Sequence, residues 1–175
     1  MNRPDRNESI YSPSLKVPFL GILLLLSILL DLLQSRFLPL YLNLDWTLIF
    51  VFYIGWSTNF IKGSLAGTVF GIAQDFLLGV MLGLNGAIKT VVGYSSSYLS
   101  TILNPELEGI LRFVLIALIS MLNNLLVYKS HYILSNVSGE MPILSLLSGS
   151  LLTGVAGDLL FRLLNRLQAG PKQFV

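Results

Sequence analysis

The stretch KGSLAGTVFGIAQDFLLGVMLGLNG, residues 62–86, carries glycines at a regular spacing inside an apolar run. Gly63, Gly67 and Gly71 are four residues apart, so on a helix they lie nearly above one another and leave a groove without side chains. Another helix can approach closely along such a groove. After Gly79 the segment is typical of a helix end and a turn. We therefore predict close helix packing within the chain, with a dimer interface as the alternative.

A second stripe of small residues lies in the last apolar segment. Four residues share the same spacing there: Ser145, Gly149, Thr153 and Gly157. In addition, GIAQDFLL at 71–78 resembles GVAGDLLF at 154–161, with Gly, Ala and Asp at matching positions 83 residues apart. Two halves of three spans each would be inverted relative to one another, an arrangement found in transporters. An internal repeat therefore stays open as a hypothesis.

The composition places the chain among integral membrane proteins. Of its 175 residues, 54% are hydrophobic and 11% are charged, and the mean hydropathy is +0.75. A soluble domain of this size needs a more polar surface. The apolar runs are long and leucine-rich, without the alternation of a transmembrane β-barrel, so we predict an all-α polytopic membrane bundle. The net charge of +2 is too small to indicate nucleic-acid binding, and the lack of cysteine excludes disulfides.

We predict six membrane helices, each of which needs about 20 mainly apolar residues. They cover residues 17–33, 44–60, 61–78, 84–103, 107–134 and 143–164. Together they form one transmembrane domain over 17–167, between a flexible tail over 1–16 and a second tail over 168–175. Between the third and fourth helices, Asn85-Gly86 predicts a turn.

The basic residues predict the orientation in the membrane. Six spans place both termini on one side. That side holds Arg3, Arg6, Lys16, Lys62, Arg112, Arg162, Arg166 and Lys172, and the other side holds Arg36, Lys89 and Lys129. Because cytoplasmic segments carry an excess of Lys and Arg, we predict that both termini are cytoplasmic.

Some charged residues lie inside predicted spans, where a carboxylate costs about 3 kcal/mol and usually faces protein, water or a counter-ion. Asp75 and Lys89 lie at similar depth in neighbouring antiparallel helices, so we predict that they pair. Asp31 is either a third member of this polar site or a partner of Arg36. We interpret the site as an internal ion pair that fixes helix packing. A polar site for a solute, a proton or a partner is the alternative.

The remaining polar residues indicate structure rather than chemistry. Asp158 and Arg162 are i,i+4 neighbours and are predicted to pair, while Asn123 and Asn124 can hydrogen-bond between helices. His131 is the only histidine, and no second ligand lies at metal-binding spacing. The sequence contains no phosphate-binding loop, metalloprotease helix or nucleophile elbow. We therefore predict no enzyme activity, no cofactor and no metal site.

The segment 62–99 resembles the bacterial rod-shape-determining membrane protein family MreD. Members carry a glycine-spaced helix that ends in Gly-x-x-x-Asp, a short Gly-rich turn, and a helix with Gly-Tyr. The matching residues here are Gly67, Gly71, Asp75, Gly79, Gly83, Asn85, Gly93 and Tyr94. Chain length, six spans and the character of both ends agree with the family. The resemblance implies a location in the bacterial inner membrane and a fold similar to the substrate-binding subunits of energy-coupling-factor transporters.

The resemblance also implies a non-enzymatic scaffold of the cell-elongation machinery. Its partners would be an MreC-like bitopic protein and, through it, an MreB-like actin, a RodA-like glycosyltransferase and a class B penicillin-binding transpeptidase. The glycine groove and the polar end of the third and fourth spans are the candidate docking surface.

Two other functions stay open at this point. One is a solute-binding subunit of an energy-coupling-factor-type transporter, favoured by the related fold and by Asp75 and Lys89, although the outer loops are short for capping a vitamin. The other is a membrane enzyme of lipid or wall precursors, which would need clustered acids or histidines that the chain lacks.

Overall fold

The computed structural model describes residues 17–37, 44–78, 82–103, 108–135 and 143–168. These ranges form six α-helices, which in chain order are α1 (Val17–Phe37), α2 (Trp46–Ser57), α3 (Phe60–Leu78), α4 (Leu84–Ile102), α5 (Glu108–Ser135) and α6 (Ile143–Gln168). No strand occurs within them, so the prediction of an all-α helical bundle is confirmed. α1 and α6 continue past their predicted ends at residues 33 and 164. The predicted tail over 1–16 lies outside the described residues. Of the predicted tail over 168–175, Gln168 belongs to α6 and the rest lies outside the described residues.

The helix α2 is the centre of the bundle. All residues from Thr47 to Gly55 are buried, and those from Thr47 to Ile54 have no exposed surface. The predicted second span, 44–60, was too long, because the helix has only 12 residues. At 1.5 Å per residue it is about 18 Å long, less than the ~30 Å hydrocarbon core of a bilayer. Its burial by other helices on all sides explains why its sequence is apolar around the whole circumference.

Polar residues at both ends determine the length of α2. Asp45 precedes the helix, and its carboxylate accepts a hydrogen bond from the Leu48 N–H at 2.8 Å, which is the usual N-cap contact. At the other end the Thr58 hydroxyl donates to the Ile54 carbonyl at 2.6 Å. The Asn59 side chain then accepts from the Lys62 N–H at 3.1 Å and begins α3. The sequence Ser-Thr-Asn therefore separates two helices that the apolar pattern alone does not distinguish.

The helices α3 and α4 pack with their backbones in contact. Gly63 lies against Gly93, and Gly67 lies against the carbonyl of Lys89. Before α4, Gly83 has a φ of +93°, a backbone conformation that residues other than glycine rarely adopt. The predicted turn at Asn85-Gly86 was therefore wrong: the turn ends at Gly83, and both residues belong to the first turn of α4.

The helices α5 and α6 form an antiparallel pair. Arg162, late in α6, lies beside Gly109 at the start of α5, whereas Gly154, earlier in α6, lies against Phe113 and Ala117. By length and composition, two of the described helices are able to cross a membrane, over Gly109–Lys129 and Ile143–Arg166. Shorter apolar helices cover Pro18–Gln34 and Trp46–Ser57.

In contrast to a water-soluble protein, the bundle buries many polar side chains and exposes many large apolar ones. Among the described residues, buried polar or charged side chains are at least as numerous as buried apolar ones. The surface instead exposes large apolar side chains on five helices, for example Leu25 (70% exposed), Phe76 (75%) and Leu144 (80%). Such a surface is unfavourable in water. The distribution therefore favours an apolar environment around the bundle.

Candidate functional site

A group of polar side chains that we name the Lys89 cluster joins five helices near the start of α2. It consists of Asp31, Asp45, Thr47, Gln74, Lys89 and Asn123. Lys89 is fully buried, and its ammonium lies 3.0 Å from Asp45 Oδ1. It also donates a hydrogen bond to Gln74 Oε1. The predicted pairing of Lys89 with Asp75 was wrong, because the Lys89 ammonium is engaged by Asp45 and Gln74 instead.

Asp45 connects α2 to three other helices. Besides capping α2 and pairing with Lys89 of α4, its Oδ2 accepts a hydrogen bond from the Asn123 amide of α5 at 3.0 Å. Its backbone N–H donates to the Thr153 hydroxyl of α6 at 3.4 Å. Sequence reasoning gave Asp45 no role, although an aspartate immediately before an apolar helix is a typical N-cap signal.

Asp31 brings α1 into the cluster. Its Oδ1 accepts a hydrogen bond from the Trp46 N–H at 3.2 Å, and its Oδ2 accepts from the Thr47 hydroxyl at 2.5 Å and from the Gln74 amide at 3.0 Å. Gln74 therefore bridges Asp31 and Lys89. This agrees with the expectation that Asp31 is a third member of the polar site. The alternative partner, Arg36, is exposed, and no Asp31–Arg36 ion pair occurs in the described parts of the chain.

Asp75 forms a separate site at the start of α4. Its carboxylate accepts hydrogen bonds from the Gly83 and Gly86 N–H groups at 2.8 and 3.3 Å. The Asn85 backbone and amide donate to the other oxygen at 3.3 and 2.7 Å. The first N–H groups of a helix have no partner within the helix, and its N-terminus favours negative charge. Asp75 is thus paired with a helix end instead of a lysine.

A second ion-pair site joins α5 and α6. The predicted Asp158–Arg162 pair is present, with a nitrogen–oxygen distance of 2.7 Å. Arg112 of α5 adds a buried contact to the other Asp158 oxygen at 2.8 Å, and its guanidinium lies 4.8 Å from the centre of the Phe161 ring. Asp75 and Asp158 occupy matching positions in the proposed sequence repeat, but their partners differ. The repeat therefore does not extend to the chemistry of these two residues.

The glycines at the predicted packing or docking positions lie mostly inside the chain. A Cβ atom at Gly63, Gly67 or Gly71 would be 2.0–2.5 Å from a carbonyl oxygen of α4. That groove is therefore occupied by α4, which agrees with the prediction of close packing within the chain and leaves no room in it for the alternative, a docking partner. On α6, Gly157 faces Ile116, and buried Gly149 accepts a hydrogen bond from Thr153 at 2.7 Å.

The remaining motif positions fall into three environments. Gly93 contacts Gly63 across the α3–α4 interface. Tyr94 is half exposed, and its ring lies 6.0 Å from that of Phe60. Gly79 lies outside the described residues.

The spaces near these sites differ in size. A void bounded by Ile28, Asp31, Leu32, Gln74 and Leu77 lies between α1 and α3 and is too narrow to hold a water molecule. An open groove of about 390 Å³ lies between α5 and α6, beside Asp158 and Arg162. Within the described residues, no group of three or more His, Asp or Glu side chains is arranged to hold a metal ion.

Comparisons of the chain with protein-family models, with curated proteins and with solved structures each gave no match.

Proposed function

We propose that the protein is a non-enzymatic membrane scaffold of the MreD type, which docks an MreC-like bitopic protein in the cell-elongation machinery. The observation that carries the proposal is the combination of a closed interior with an apolar exterior. The buried charges are engaged by other groups of the same chain: Lys89 by Asp45, Asp75 by the start of α4, and Asp158 by two arginines. A partner protein would therefore be recognised by the outer surface of the bundle.

The proposed disposition is six spans in the bacterial inner membrane with both termini in the cytoplasm. The short α2 fits this arrangement because it is enclosed by protein, so its length need not match the hydrocarbon thickness. The exposed apolar side chains of α1, α3, α4, α5 and α6 would face lipid or the spans of partners.

A solute-binding subunit of an energy-coupling-factor-type transporter is less well supported. Solute sites are usually concave cavities of 300 Å³ or more with a few convergent polar groups. The groove of about 390 Å³ between α5 and α6 is open rather than enclosed, and its charged residues Asp158 and Arg162 are paired with each other. The void beside Asp31 and Gln74 does not admit even a water molecule. A solute at the Lys89 cluster would have to displace α1 or break several internal hydrogen bonds.

The test is affinity purification of the tagged protein from native membranes in mild detergent, with the co-purifying proteins identified by mass spectrometry. Untagged membranes give the background. We expect an MreC-like protein together with wall synthases. Recovery of ATP-binding-cassette ATPases and a coupling membrane protein, without an MreC-like protein, would instead support the transporter function.

Photo-crosslinking would then locate the docking face. A crosslinking amino acid is placed singly at Leu25, Val69, Tyr98, Leu122 and Leu151, which are more than half exposed on five different helices. A scaffold that docks a single partner span predicts crosslinks from one or two neighbouring helices. Equal crosslinking from all five positions would contradict a defined docking face.

A further inference from the structure

The Lys89 cluster contains one basic group and two carboxyl groups. Lys89 is fully buried, Asp31 is 9% exposed and the Asp45 side chain is 11% exposed. If all three groups are ionised, the cluster has a net charge of −1. An uncompensated charge in such an interior is strongly unfavourable, and the usual remedy is to neutralise the group.

The two carboxyl groups differ in their partners. Asp45 lies 3.0 Å from the Lys89 ammonium, which is its counter-ion. Asp31 contacts the Trp46 N–H, the Thr47 hydroxyl and the Gln74 amide, all of which are neutral. Both carboxyl groups lie at the N-terminal end of α2, so the helix dipole does not distinguish them. The excess negative charge therefore falls on Asp31.

The contacts of Asp31 are compatible with a bound proton. A lysine ammonium can only donate, so Lys89 fixes the Gln74 oxygen towards itself and the Gln74 NH₂ towards Asp31. The Thr47 hydroxyl can donate to an ionised Asp31 or accept from a protonated one.

We propose that Asp31 is a reversible proton-binding site, and that the bound proton holds α1 against α2 and α3. α1 is attached to the rest of the cluster through Asp31 and through a hydrogen bond from Gln34 to the Leu44 carbonyl. Loss of the proton to bulk water creates the excess charge, which is relieved when Asp31 moves into a more polar environment. A rise in pH therefore weakens the docking of α1.

Other charged residues on the neighbouring helices do not alter this balance. α2 contains no charged residue. On α3, Asp75 is engaged by the start of α4, and Lys62 is exposed near the other helix end. Arg36 on α1 itself is exposed. Asp45 and Lys89 are thus the charged residues that interact electrostatically with Asp31.

Infrared spectroscopy of the full-length protein in lipid nanodiscs tests the site directly. At neutral pH we expect the carbonyl band of a protonated carboxylic acid, which shifts when aspartate is labelled with ¹³C at its carboxyl carbon. Asp31→Asn removes the band. Asp158→Asn is the matched control and keeps it, because Asp158 lies between two arginines. A wild-type spectrum without the band, or a band lost in Asp45→Asn but kept in Asp31→Asn, would overturn the proposal.

The docking of α1 is measured in the same samples. The chain has no cysteine, so spin labels can be attached at Leu32→Cys and Leu77→Cys, which line the void between α1 and α3. The dipolar broadening between the two labels should be lost over the pH range in which the carbonyl band is lost. In Asp31→Asn this broadening should not depend on pH. If Asp31→Asn does not fold, the labelled wild type still decides the question. Loss of the band without loss of broadening would show that the proton does not hold α1.

Discussion

At the scale of single residues, the contact between Lys89 and Asp45 balances most of the charge buried near α2. Replacing Lys89 by Met leaves Asp45 buried without a counter-ion, and we expect a loss of about 3–5 kcal/mol in the free energy of unfolding. Lys62→Met, at an exposed position, should change it by less than about 1 kcal/mol. Unfolding by SDS in mixed micelles measures both variants.

Double variants identify the partner of Lys89. Adding Asp45→Asn to Lys89→Met should recover part of the loss, because no unpaired carboxylate then remains at that position. Adding Asp75→Asn should recover nothing, since Asp75 is bonded to the start of α4. Exchanging the two residues, as Asp75→Lys with Lys89→Asp, should likewise fail to recover the lost stability. Recovery in either Asp75 combination would contradict the assigned pairing.

Gly67 and Gly21 give a matched pair of glycine substitutions. A Cβ at Gly67 would lie 2.0 Å from the Lys89 carbonyl oxygen, so Gly67→Ala must separate the backbones of α3 and α4. We expect destabilisation of at least about 1–3 kcal/mol, as for an overpacked core. Gly21 in α1 has no atom within 4 Å of the same position, and Gly21→Ala should be neutral or stabilising by up to about 1 kcal/mol. Equal thermal stability of the two variants in detergent would show that the α3–α4 contact is looser than described.

At the scale of helices, the α5–α6 pair depends on Arg112 more than on Arg162. The Arg112 side chain is 7% exposed and contacts both Asp158 and the Phe161 ring, whereas Arg162 is 62% exposed. We expect Arg112→Leu to cost about 2–3 kcal/mol and Arg162→Leu less than about 1 kcal/mol, because exposed ion pairs contribute little. Unfolding monitored by a fluorophore pair on α5 and α6 measures the difference. A larger effect of Arg162→Leu would contradict this ranking.

The helices also show which features the sequence predicted and why others were missed. Glycine spacing predicted a close helix contact along α3, because such a groove depends only on residues along one helix, but it did not identify α4 as the partner. The pairing of Lys89 was wrong because depth along a helix does not specify the direction of a long side chain. The early end of α2 was missed because only three polar residues, Ser57 to Asn59, separate its apolar sequence from that of the next helix. Asp45 had a recognisable N-cap signal, but its contacts with α4, α5 and α6 depend on tertiary packing.

At the scale of the whole molecule, the bundle buries several charged side chains and exposes many large apolar ones. This arrangement is stable if lipid or partner spans cover the exterior and the internal polar groups satisfy one another. The scaffold proposal and the six-span disposition both depend on this arrangement. The exposure of large apolar side chains on five helices is therefore the property to test first.

The most direct measurement is spin-label accessibility in reconstituted membranes, with single cysteines introduced at Leu25, Val69, Leu122 and Leu151. A cysteine at Ser9, in the polar N-terminal segment, is the aqueous control. We predict that spin labels at the four apolar sites collide with oxygen and are protected from a water-soluble nickel chelate, whereas the label at Ser9 shows the opposite. Ready access of the chelate to the four sites would mean that these helices face water, and would contradict the membrane bundle.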